Sequence, residues 1–106
     1  MLFKEYYNRD MIKLYRGEGS YNKGGNYWST DREWSRQFTG SGIDSEIREM
    51  SIKRDEILIL DPLPRATDEK DIEEGIRKSK EGGYRGFMVD EGKGQPVSVF
   101  MIEGVL

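Results

Sequence analysis

The residues with most chemical potential in this chain sit in two places. One is the stretch from Leu14 to Phe38, where Arg16 and Gly17 precede a glycine-rich loop, and Tyr27, Trp28, Ser29 and Thr30 follow it. The other lies near the C-terminus, where Asp90, Glu91 and Gln95 punctuate the run "MVDEGKGQPVSVF". An arginine offers a planar fork of donors for phosphate or ribose oxygens. Aromatic faces suit a flat ring, hydroxyls suit a sugar, and a helix N-terminus adds amides that face an anion. Together these features suit a nucleotide. A carboxylate beside such a site can stabilise positive charge developing on the bound molecule, or orient a nucleophile.

The chain has no histidine and no cysteine. Imidazole acid–base chemistry, thiolate nucleophiles, disulfides and zinc sites of the Cys/His type are therefore excluded. Any catalyst must work with carboxylates, hydroxyls or the chemistry of the bound substrate. The 20 acidic and 17 basic residues are mixed along the chain and leave a net charge of −3, with no basic block that could track a phosphate backbone. Nucleic-acid binding is not favoured. No apolar run approaches membrane length, so the expectation is a cytoplasmic protein without a membrane partner and without a metal.

These residues need elements to hold them, and 106 residues suffice for one domain. "MIKLYR" (11–16) alternates like a half-buried strand and delivers Arg16 at its end. "NYWS" reads as a short extended piece. "TDRE" reads as a capping box in which Thr30 and Glu33 cap each other, opening a helix that carries Trp34 and Phe38 on one face and ends at Gly40 and Gly42. Both rings are expected in the core.

Residues 46–53 and the apolar run 56–60 read as strands, the second buried on both faces. Two prolines then forbid regular pairing. Asp68 to Lys80 reads as a surface helix with acids first and bases last, closed by Gly82 and Gly83. Residues 84–90 and 97–104 are two more strands joined as a hairpin by "EGKGQP". The class is α+β with mostly antiparallel pairing, in a single domain spanning 1–106.

The order of these motifs resembles the ADP-ribosyltransferase superfamily, most of all its small phage and toxin-associated members. The resemblance rests on "YRG", then aromatic-x-Ser-Thr at a short helix, then "GYRGFMVDEGKGQPVSVF", and runs from Leu14 to Glu103. It implies two small, mostly antiparallel sheets around a cleft lined by Arg16, Tyr27, Ser29 and Asp90. By that likeness Arg16, beside Gly17, would hold the NAD phosphates or ribose, while Tyr27, Ser29 and Thr30 would pack the nicotinamide and its ribose. Where relatives place a catalytic glutamate just before the final strand, this chain has Gln95-Pro96, leaving Asp90 and then Glu91 as the nearest acids. The "MVDEG" segment is similar to the M-x-D-E stretch of phage anti-CRISPR ADP-ribosyltransferases.

The resemblance thus implies a mono-ADP-ribosyltransferase that uses NAD as co-substrate. Its target would be a host or defence-system protein, or another macromolecule, and its setting a phage-borne counter-defence. The alternative is a catalytically inactive relative that inhibits by binding a host protein or a nucleotide. From the residues alone, Ser29 and Thr30 serve equally as helix caps, and Asp90 and Glu91 as turn acids.

Overall fold

The computed structural model describes residues 10–18, 26–36 and 46–102. In chain order these form β1 (Met11–Glu18), β2 (Tyr27–Ser29), α1 (Arg32–Arg36), β3 (Glu46–Lys53), β4 (Ile57–Leu58), α2 (Glu69–Gly82), β5 (Gly86–Val89) and β6 (Ser98–Met101). The strands make one six-stranded mixed sheet in the order β3-β1-β2-β6-β5-β4, curled into a half-barrel. Every pairing is antiparallel except β4 with β5. The α+β class is as the sequence suggests, but the two expected sheets are one. The reason lies in β6, which pairs with β2 on one side and β5 on the other and so joins the two halves.

Alternation along the strands separates two faces. Ile12 and Leu14 of β1, Trp28 of β2, Ile52 of β3, Ile57 of β4, Met88 of β5, and Val99 and Met101 of β6 converge into one core, with Met50, Ile59 and Leu63 packed at its margin. Trp28, beside Tyr27 in the stretch after the glycine-rich loop, belongs to this core at 3 % exposure. Helix α2 lies against the other face. It can do so because position 75 is glycine: a Cβ there would stand 2.6 Å from Phe87 Cδ2 and Cζ, closer than any real contact.

Local differences from the sequence reading have local causes. The apolar run 56–60 yields only the two-residue β4, because a 3₁₀ turn occupies Arg54–Glu56 and Pro62 and Pro64 follow. The second helix starts and ends close to where its charges suggest. Asp68 accepts from the Lys70 and Asp71 amides, and Gly83 closes the helix in the left-handed region at φ 76°. At α1 the expected capping box is replaced. Asp31 Oδ1, not Thr30, accepts from the Glu33 and Trp34 amides at 2.8 and 3.1 Å, while Glu33 pairs with Arg36. Thr30 instead donates its hydroxyl to the Val97 carbonyl at 2.6 Å, tying the end of β2 to the start of β6. Trp34 is half-buried. Phe38, Gly40 and Gly42 lie outside the described residues.

Candidate functional site

Register decides which candidate residues can share a ligand. Tyr15 stands opposite Ser29, Ser29 opposite Ser98, and Tyr27 opposite Phe100, so these side chains share the face away from the core. Phe100 is opposite Phe87 in turn. The result is a row of rings across three strands: Tyr27 meets Phe100 edge-on with centroids 5.0 Å apart, and Phe100 stacks on Phe87 at 5.3 Å. Phe87 is sealed under α2, whereas Tyr27 at the other end is 36 % exposed. The row is therefore anchored at one end and open at the other.

The hairpin turn after β5 brings Glu91 to this face. Glu91 is half-buried, and Ser98 Oγ donates to its Oε2 at 2.9 Å. Its negative charge, added to partial burial, raises the Tyr27 phenol above its ordinary value of 10.0, burial being the larger cause. Tyr27, Ser98 and Glu91 are thus neighbours. Ser29 joins them through its register with Ser98, and its Oγ accepts from the Asp31 amide at 3.0 Å. The Tyr27 hydroxyl donates to the Ala66 carbonyl at 3.2 Å. Segment 64–66 runs beside Asp90, exchanging backbone bonds with it at 2.8 and 2.9 Å, so Tyr27 is braced against the same strip that positions the acids.

Asp90 and Gln95 have turn duties. Asp90 Oδ1 accepts from the Gly92 amide at 2.9 Å, an Asx turn that starts the hairpin. The Gln95 amide donates to the Gly92 carbonyl at 3.1 Å, and its side chain is exposed. Asp90 Oδ1 thus serves the backbone of the turn, and Glu91, the next residue, is the acid bonded to Ser98.

Arg16 lies elsewhere. It continues the row of Ile12 and Leu14 on the core face, with Gly17 buried between it and Glu18. Its Nη1 donates to the Tyr27 carbonyl at 3.0 Å and its Nε to Glu18 Oε2 at 3.3 Å. Both side chains of this ion pair are under 10 % exposed, at 9 % and 8 %, so it is an interior pair that also reaches the half-buried Arg48 at 3.5 Å. The structure therefore brings Tyr27, Ser29 and Glu91 together and sets Arg16 on the opposite side of the sheet, while Thr30, just past the end of β2, is bonded to the Val97 carbonyl.

Ser29 and Ser98 are buried at 6 % and 1 % exposure with their hydroxyls bonded within the protein, so the parts of this group open to a ligand are Tyr27 and the half-buried Glu91. The arginine fork expected for the phosphates is committed to Glu18 and the Tyr27 carbonyl. Sequence reasoning passes over Ser98, Glu18 and Ala66. Ser98 has a signal, being a hydroxyl between two valines in a strand, and Glu18 has one too, since it keeps the parity of Ile12, Leu14 and Arg16. Ala66 contributes only a carbonyl and has none. Among the described residues no group of acids could hold a metal, and no helix is long and apolar enough to cross a membrane. Comparison with protein-family models, curated proteins and solved structures finds no match.

Proposed function

We propose that this chain is an ADP-ribosyltransferase-like domain that takes NAD at the Tyr27 end of the aromatic row, with Glu91 as its carboxylate. One observation carries the reading: a half-buried glutamate beside a half-open tyrosine, held by the hydroxyl of buried Ser98, which itself stands opposite Ser29. NAD would supply the labile nicotinamide–ribose bond and the ADP-ribose that passes to a nucleophile on a macromolecular target. The residues of the chain do the rest. The Tyr27 ring would offer a surface for the flat nicotinamide, Ser29 would support it from within the same strand, and the Glu91 charge would stabilise the positive charge that grows on the ribose. Ser98 fixes the carboxylate in one orientation. Arg16 is a positioning residue here, holding the Tyr27 carbonyl from behind. The target that best suits the reading is a host or defence protein, in keeping with the likeness to small phage members.

A second reading belongs to another class, a non-catalytic inhibitor that keeps this scaffold and works by binding a host protein. The interior Arg16–Glu18 pair favours it, because no phosphate-gripping arginine is then needed at the site. Labelled NAD incubated with the protein and a host lysate separates the two. Label transferred by the parent and not by Glu91→Gln supports the enzyme. Inhibition of the target that persists in Glu91→Gln, with no label transferred by the parent, supports the binder.

A further inference from the structure

One edge of the sheet is short and the other is long. At the far edge β4 has two residues, but β3 has eight, and among the described residues no strand lies on its outer side. Its register with β1 is unbroken from Met11 opposite Lys53 to Glu18 opposite Glu46. The bond from the Arg54 amide to the Asp10 carbonyl at 2.9 Å continues that register and shows which residues bond inward. In an antiparallel ladder the inward set alternates. Arg54, Ile52, Met50, Arg48 and Glu46 therefore turn their backbone groups toward β1, and Ile47, Glu49, Ser51 and Lys53 turn theirs outward. Such an edge is a template for another strand.

The sequence of β3 says which strand. A two-fold axis through the edge pairs each residue with one of the same face. With the axis at Ser51, Ser51 meets Ser51 of the second copy, Glu49 meets Lys53, and Met50 meets Ile52. Opposite charges then stand across the ladder on the outer face, and Met50 meets Ile52 on the core face, where Ile52 is already in the core and Met50 packs at its margin, with Arg48 opposite Arg54 only where the strand ends. Neighbouring registers are poorer. An axis at Met50 leaves Lys53 opposite Ile47, and an axis at Glu49 sets like charges together. Lys53 has no ion pair among the described residues, and the Glu49 contact with Lys13 at 3.6 Å is between exposed groups.

We infer that β3 pairs antiparallel with β3 of a second copy about an axis at Ser51, extending the six-stranded sheet across a two-fold dimer. The contact is short, so the equilibrium is a weak one, seen over about 10–500 µM rather than at trace concentration. It is independent of the NAD reading, since the aromatic row begins two strands away, at β2.

Sedimentation velocity across that range tests it. The parent protein should shift from monomer to dimer. Lys53→Glu sets glutamates against each other twice per dimer and should weaken association at least about tenfold. Glu49→Lys combined with Lys53→Glu restores the complementarity and should restore the dimer. Ser51→Pro removes an outward amide at an edge that tolerates proline, and should give a monomer with an unchanged far-ultraviolet circular dichroism spectrum. Should that variant not fold, the charge-swap pair carries the test by itself. A parent that stays monomeric throughout overturns the proposal, including one that captures a foreign strand instead. So does a dimer indifferent to both the charge reversal and the proline.

Discussion

Replacing Gly75 with alanine sets two effects of opposite sign against each other. In a solvent-facing helix the change would stabilise by about 1 kcal/mol, because alanine loses less backbone freedom on folding. In α2 the new methyl points at a fully buried ring, 2.6 Å from Phe87 Cδ2 and Cζ. Phe87 cannot retreat freely, because it stacks on Phe100 at 5.3 Å and Phe100 in turn meets Tyr27. The helix must lift or the ring must leave its rotamer. Overpacking of this kind costs about 1–3 kcal/mol. Since α2 sits directly on β5, we take the upper part of that range, for a net loss of about 1–2 kcal/mol after the propensity gain. For a domain of this size that is a fall in Tm of about 4–15 °C. Urea unfolding followed by tryptophan fluorescence should show a lower midpoint with an unchanged slope. Phe87→Leu added to Gly75→Ala should recover part of the loss, so the two changes will not be additive. A more stable Gly75→Ala would refute the reasoning, because it would show that α2 does not rest on Phe87.

The interior ion pair makes a second case: Glu18→Ala removes a buried carboxylate that meets both Arg16 and Arg48 and should cost about 3 kcal/mol in chemical unfolding. The two carboxylate caps should each lose about 1 kcal/mol as alanine, Asp31 at α1 and Asp68 at α2, whereas Thr30→Val should act through its bond to Val97 and leave the α1 cap intact. The raised Tyr27 phenol gives a pH dependence. Its folded form holds the proton more tightly than the unfolded chain, so stability is fully present below pH 10.0 and falls as pH rises beyond it. Tyr27→Phe should flatten that alkaline slope, and Glu91→Gln should move the phenol back toward its ordinary value in a spectrophotometric titration.

The sequence announces what depends on period and punctuation. The alternation in "MIKLYR", the acidic start of α2, the glycine at its end and the hairpin between β5 and β6 are all visible in residue order, and the elements appear where those signals put them. What it conceals depends on pairing at long range. Nothing in "VSVF" tells that β6 lies between β2 and β5, and that placement turns two expected sheets into one. The faces of the site residues follow from the same fact. Parity within β1 puts Arg16 with Leu14, and parity within β2 separates Tyr27 and Ser29 from Trp28. The relation between the two strands, however, is fixed only by the register of Tyr15 with Ser29. The choice between Thr30 and Asp31 as cap was equally closed to inspection, because the Thr30 hydroxyl is drawn away by a carbonyl 67 residues along the chain.

The central claim is that Glu91, held by Ser98 beside Tyr27, supplies the charge for NAD turnover. Its most direct test is single-turnover release of nicotinamide from labelled NAD by the parent, Glu91→Gln and Asp90→Asn proteins, each checked for unchanged unfolding. Glu91→Gln keeps size and hydrogen bonding but removes the charge. The account predicts a rate lower by about a hundredfold or more with little change in NAD affinity, because the charge matters most in the transition state. Asp90→Asn, which keeps an acceptor for the Gly92 amide, should stay within a few-fold of the parent. A parent that releases no nicotinamide, or a Glu91→Gln protein as fast as the parent, would contradict the account.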